Sequence, residues 1–382
     1  MLAALLLALV PPQTAPAAQR AQSPSIDVAT LLVAMLERHR LPALGGALVT
    51  ADGPQAFAAI GRRSNQIPAV ALSDDLWHLG SCTKAMTATL AARLVEQKKI
   101  AWDTPVSEVF TDLPGGVHAG WAGATLELLL AHRGGAPAEI EPGLWDELFG
   151  STAPPREQRA KLVAALLAAP PAQRPGSAYV YSNAGYALAG AMLETRADML
   201  WENLMRQEVF VPLKMTSAGF GAPGSAGKLD QPLGHRAPEG GKPAKPVPVG
   251  PRADNPAAIA PAGGVHASLA DWGRFAAAHL AGAKGATGYL GADSWRRLHT
   301  PAEGQEYALG WMVTERDWAG GTAWTHSGSN TMWYATAWLA PERGFAVLVT
   351  TNQGGEGAAQ AVDDTCAALI GAWRAKHGGG GR

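Results

Sequence analysis

Three short segments hold residue types that together could run acyl-transfer chemistry: Ser81-Cys82-Thr83-Lys84, Tyr181-Ser182-Asn183 and His326-Ser327-Gly328. A serine hydroxyl is a poor nucleophile at neutral pH unless a neighbouring base takes its proton. Leu90, Leu94 and Val95 recur at helical spacing, and the pattern extends back through residues 85–89. Gly80-Ser81 therefore falls where a helix begins. Residues three apart share a helix face, which turns the Lys84 amine toward the Ser81 hydroxyl. With an ordinary pKa of about 10.4, lysine is too basic to act as a general base. Burial and the positive end of the helix would lower it, and lysine titrates readily on burial where arginine does not. The same residues also describe a serine N-cap followed by a solvated lysine.

The second segment follows a Pro175-Gly176-Ser177 turn and a short extended piece, and it opens an apolar helix over residues 183–193. Tyr181 could share a proton with Lys84 and pass it to a leaving group, its phenol pKa depressed by a nearby ammonium. Asn183 could hold the Lys84 amine and donate to a substrate carbonyl. A core tyrosine beside an asparagine N-cap is the plainer account. The third segment lies between apolar runs at residues 321–325 and 333–339, where Trp333, Ala335, Ala337 and Leu339 alternate with Tyr334, Thr336 and Trp338 as in a strand. Gly328 on that strand permits close approach to backbone. The N–H groups of Ser329 and Ser81 could then hold a developing oxyanion, an effect worth about 10²–10³ in rate per donor. Alone, His326 reads equally as a core or surface histidine. Each triplet is common by chance; three in this order point to a serine hydrolase.

Taken together, these residues resemble the serine β-lactamase and penicillin-binding-protein superfamily, closest to the class C-like branch with its related esterases and D-amino-acid peptidases. Framing segments carry the likeness as well: residues 128–135, 211–215, Pro261-Ala262-Gly263-Gly264-Val265, Tyr307-Ala308-Leu309-Gly310-Trp311 and Thr350-Thr351-Asn352. The resemblance implies that Ser81 is acylated, that Lys84 and Tyr181 form the general base pair, and that Asn183 contacts a substrate amide. It makes His326 and Gly328 the third triplet, with Ser329 in the oxyanion position. His326 stands where most β-lactamases and transpeptidases have lysine, and a histidine offers at best a partial positive charge at pH 7. That favours an esterase or peptidase over an efficient lactamase. A β-lactamase proper and a D-amino-acid peptidase are the alternatives within this chemistry. A catalytically silent penicillin- or peptidoglycan-binding sensor, acylated once without turnover, is the alternative from another class.

The chain has 382 residues, 47% of them hydrophobic, enough for a large core. A net charge of −1 and 16% charged residues argue against a nucleic-acid partner; the resemblance implies a small-molecule or short-peptide substrate. No His-Glu-x-x-His, paired Cys-x-x-Cys, Gly-x-Ser-x-Gly or phosphate-loop motif occurs, so neither metal nor cofactor is expected. His132 reads as packing at a helix end. Cys82 and Cys366 are expected as two buried thiols, since the family's helices would hold them on opposite faces of a sheet. Residues 1–22 resemble a signal peptide whose n-region lacks lysine and arginine, with export to a periplasm or the exterior and no stable membrane anchor. Residues 23–100 and 265–377 read as an α/β (α+β) domain, with an antiparallel sheet flanked by helices. Residues 101–264 read as an inserted, mainly helical domain ending in a Pro/Gly-rich loop at 219–264, which could border the cleft. Residues 378–382 read as a disordered tail.

Overall fold

The computed structural model describes residues 26–378; the expected signal segment, and the expected tail beyond Gly378, lie outside the described residues. An amphipathic helix, α1 (Val28–His39), precedes a hairpin of β1 (Ala43–Thr50) and β2 (Gly53–Ser64), with β3 (Ile67–Val70) completing its edge. The short strand β4 (Leu76–His78) leads into the helix α2 (Thr83–Glu96). Then come α3 (Val106–Val109), α4 (Leu126–Leu130), α5 (Pro142–Leu148), α6 (Pro155–Ala168), α7 (Asn183–Ala197) and α8 (Trp201–Met205). The Pro/Gly-rich stretch is not a bare loop. It holds β5 (Gly219–Phe220), a hairpin of β6 (Gly234–Arg236) and β7 (Lys245–Val247), and the one-turn helix α9 (Ala260–Gly263). β8 (Val265–Ser268), α10 (Leu269–Ala283), α11 (Ala292–His299), β9 (Met312–Arg316), β10 (Gly321–Ser329), β11 (Tyr334–Ala340), β12 (Phe345–Thr351) and α12 (Glu356–His377) finish the chain.

The main sheet has seven strands in the order β3-β2-β1-β12-β11-β10-β9, with every neighbouring pair antiparallel. β12 is buried along its whole length, because both sheet faces are covered. Phe345, Val347 and Val349 join α1 and α12 on one side, whereas Ala346 and Leu348 join α2 and α10 on the other. Period-two alternation thus sorts one strand between two cores. Cys82 lies in one core and Cys366 in the other, both free thiols. Among the described helices none is long and apolar enough to cross a membrane. Among the described residues no group of three or more His, Cys, Asp or Glu could hold a metal ion.

Three local features shape the chain between these elements. Val265–Ser268 pairs with β4 and β5 as a strand before α10 starts. Ser268 makes the switch, capping Asp271 N with its hydroxyl at 3.2 Å. The extended piece at residues 179–181 pairs with no strand. It is held instead by His132, whose carbonyl accepts from Val180 N at 2.8 Å. Finally, α8 stops at Met205 and passes into a wider turn over Arg206–Phe210.

Candidate active site

Ser81 sits in a 3₁₀ turn, Gly80–Cys82, that leads directly into α2. No side chain caps this helix, so the Ser81 hydroxyl is not spent on an N-cap. Lys84, one turn on, is completely buried rather than solvated. Its Nζ lies 3.0 Å from Ser81 Oγ, 2.8 Å from Asn183 Oδ1 and 2.8 Å from the Ala262 carbonyl. Burial drives the amine well below its ordinary pKa, toward the neutral form. A neutral amine has two N–H donors and one lone pair. Asn183 Oδ1 and the Ala262 carbonyl can only accept, so they take both N–H groups and leave the lone pair facing the Ser81 hydroxyl. The geometry is that of a general base beside its nucleophile.

Asn183 is the first residue of α7, not its N-cap. Ser182 caps the helix, its Oγ accepting from Gly185 N at 3.0 Å, which frees the Asn183 amide for Lys84. Tyr181 stands just before this cap with its ring 4.7 Å from Lys84 Nζ. Its pKa departs from expectation. Burial raises the phenol above its ordinary value, against the opposing pull of the Ser81 hydroxyl. The expected depression required an ammonium, and a buried neutral Lys84 supplies none. Tyr181 is therefore a protonated phenol, able to donate but not a resting anion.

Gly80 and Gly328 interlock the catalytic turn with β10. Gly80 has φ +49°, and a Cβ there would lie 2.3 Å from Ser329 N. A Cβ on Gly328 would fall 2.1 Å from the Leu79 carbonyl and 2.4 Å from Ser81 N. The close approach that Gly328 permits is thus first to the backbone of Ser81. β9 pairs with β10 only as far as Met312 and Thr325, so from His326 onward one edge of β10 is free of it. Ser329 braces the strand's end. Its Oγ donates to the Trp333 carbonyl at 2.6 Å and accepts from Thr331 N at 3.0 Å.

His326 is buried, and burial lowers its pKa to about 3. Its Nδ1 lies 2.7 Å from the Ser327 carbonyl, which can only accept, so Nδ1 carries the proton. Nε2 then accepts from the Tyr307 hydroxyl at 3.0 Å. Both ring nitrogens are engaged within the protein and the ring is uncharged, short even of the partial charge the sequence allowed. Cys82 is no rival nucleophile: its thiol is pushed up to about 12 by burial, and Sγ faces the His326 carbonyl at 3.3 Å.

Four positioning groups were not singled out by residue type. Ala262 acts through a carbonyl, for which no side-chain signal exists, although its Pro-Ala-Gly-Gly segment was visible. Tyr307 lay in another such segment. His132 stacks 4.3 Å from Tyr181 between ring centroids and accepts from Ser182 N at 3.0 Å. Its place after a helix end is as expected, but its side chain supports the tyrosine. Asp254, in the Pro/Gly-rich stretch, contacts His78, three residues before Ser81, and Asn330, which follows Ser329.

"Unguisins hydrolase ungD'" of Aspergillus campestris is 27% identical over 85% of this chain, and the chain spans 61% of that protein's length. "Penicillin-binding protein 4" of Amycolatopsis lactamdurans is 26% identical over 84% of this chain and 83% of its own. The octameric penicillin-binding protein homologue from Pyrococcus abyssi superposes with a TM-score of 0.73 at 20% identity, over 91% of this chain and 78% of that one, and so shares the fold. The Beta-lactamase family model matches residues 28–372. This chain, with its seven-stranded antiparallel sheet and buried serine–lysine pair, belongs to the Beta-lactamase family.

Proposed function

We propose that the protein hydrolyses an ester or amide lacking a free carboxylate beside the scissile bond, through an acyl-enzyme on Ser81. The observation that carries this reading is the buried Lys84 amine, its lone pair directed at Ser81 Oγ from 3.0 Å. As Oγ attacks the substrate carbonyl carbon, its proton passes to Lys84 Nζ. The N–H groups of Ser81 and Ser329 hold the oxyanion. Collapse breaks the bond to the leaving group, which takes a proton from Tyr181, and Lys84 re-protonates the phenol. Water attacks the acyl-serine by the reverse route, releasing the acid and restoring Ser81. Asn183 holds the amine and donates to a substrate carbonyl.

The preference against a carboxylate follows from His326. An uncharged ring committed to Tyr307 and Ser327 offers no cation to a lactam or terminal-peptide carboxylate. The hydrolase and penicillin-binding relatives support the reaction class, and the N-terminal apolar run supports export to a periplasm or the exterior. The test is a short p-nitrophenyl ester and a chromogenic cephalosporin given to the wild type and to Ser81→Ala, with intact mass followed. Ester turnover that Ser81→Ala abolishes is expected. Equal turnover in Ser81→Ala overturns the assignment, efficient lactam turnover overturns the substrate class, and a stable adduct without turnover makes the protein a sensor.

A further inference from the structure

We propose that Asp254 is a positioning residue that holds the two oxyanion N–H donors in register; the inference rests on the acyl-serine reading above. The donors come from distant parts of the chain, Ser81 from the turn before α2 and Ser329 from the end of β10, and nothing covalent sets their spacing. One carboxylate oxygen joins the two. Asn330, immediately after Ser329, donates from Nδ2 to Asp254 Oδ1 at 2.9 Å. On the other side, Gly80 N donates to His78 Nδ1 at 3.2 Å. His78 Nε2 then carries the proton and makes a close polar contact, outside hydrogen-bond geometry, with the same Asp254 Oδ1 at 2.9 Å. Asn255 N completes the set at 2.7 Å.

Both links act next to the donors. The Gly80 N–H belongs to the peptide preceding the one that presents Ser81 N, and Gly80 is in the left-handed region where the turn has least intrinsic preference. Asn330 also accepts from Met332 N at 3.2 Å through Oδ1, so both ends of its amide are held. The next residue, Thr331, is β-branched with φ +71°, a strained conformation that the bridging contacts must maintain. His78 is fully buried, and Asn330 and Asp254 nearly so, which keeps water from competing for these bonds. Asp254 itself comes from the Pro/Gly-rich stretch, so that segment acts on the reaction through the oxyanion site and not only as a cleft border.

The test is the rate at which a fluorophosphonate labels Ser81, read by intact mass, because the reaction needs the nucleophile and the oxyanion site but no deacylation. Asp254→Ala, Asp254→Asn and Asn330→Ala are compared with wild type, alongside melting temperature, ester kcat and KM, and affinity for an alkyl boronate. A misplaced donor pair should slow labelling and lower kcat by about 10- to 100-fold with KM nearly unchanged. Boronate affinity should fall in proportion. Asp254→Asn, which keeps an acceptor oxygen, should recover part of the loss. Asn330→Ala cuts one link alone and tests the bridge if Asp254→Ala does not fold. Folded variants that label at the wild-type rate would overturn the proposal while leaving the acyl-serine reading intact. A wild type that is not labelled at Ser81 would overturn both.

Discussion

Asn183→Asp should disable Lys84 while leaving its position unchanged. The wild-type amide oxygen accepts an N–H from Nζ at 2.8 Å without imposing a charge. A carboxylate there would favour the ammonium form. At an effective dielectric of about 20, unit charges this close attract by about 6 kcal/mol. Desolvation of the carboxylate offsets much of that, and a neighbouring opposite charge typically moves a pKa by about 1–3. The acid limb of the pH–rate profile, which reports protonation of the base, should rise by the same amount. Near pH 7 the variant should therefore lose up to about 1000-fold in kcat/KM, recovering much of it as pH is raised. The assay is ester kcat/KM from about pH 5 to about pH 10, with melting temperature measured in parallel. A uniform loss with an unmoved acid limb would refute the reasoning, because it would mean that Asn183 serves only the substrate and that Lys84 is not the titrating base.

Other outcomes follow from the same geometry. Burial holds Lys84 well below its ordinary pKa, so the folded state binds fewer protons than the unfolded one and stability from this group grows with pH up to about 10.4. Lys84→Met should abolish turnover yet raise the melting temperature near pH 7, by roughly 1–2 °C per kcal/mol of burial cost removed, and flatten its rise toward alkaline pH; a lower melting temperature would contradict this. Gly328→Ala places a Cβ 2.1 Å from the Leu79 carbonyl and should cost about 1–3 kcal/mol or more together with most Ser81 labelling, measured by denaturant unfolding and intact mass. His326→Lys puts the amine in a buried site beside Tyr307, where it stays neutral, so cephalosporin turnover should not rise; a gain above about tenfold would show that charge is what the site lacks.

Much of the site was legible because its chemistry is local. Ser81 and Lys84 are one helical turn apart, and a 3.6-residue period faces them together whatever surrounds them. Tyr181 and Asn183 straddle a helix start that turn residues announce, and the alternation around Trp333 marked a strand beside His326. The sheet strands followed from similar periodic signals, whereas the separation of Cys82 from Cys366 was implied by the family resemblance. Less was legible where partners lie far apart in sequence. The direction of the Tyr181 pKa depends on whether Lys84 is charged, which only complete burial decides. His326 reads as a half-charged ligand group until Tyr307 and the Ser327 carbonyl are seen to occupy both its nitrogens. The Ala262 carbonyl and the Asp254 bridge, 178 residues from Lys84 and 76 from Asn330, carry no local pattern at all. The sequence alone supplied the reactive groups and the elements that carry them, because these rest on short-range spacing. Tertiary packing set their protonation states and mutual register, because desolvation and hydrogen-bond partners exist only once distant segments meet.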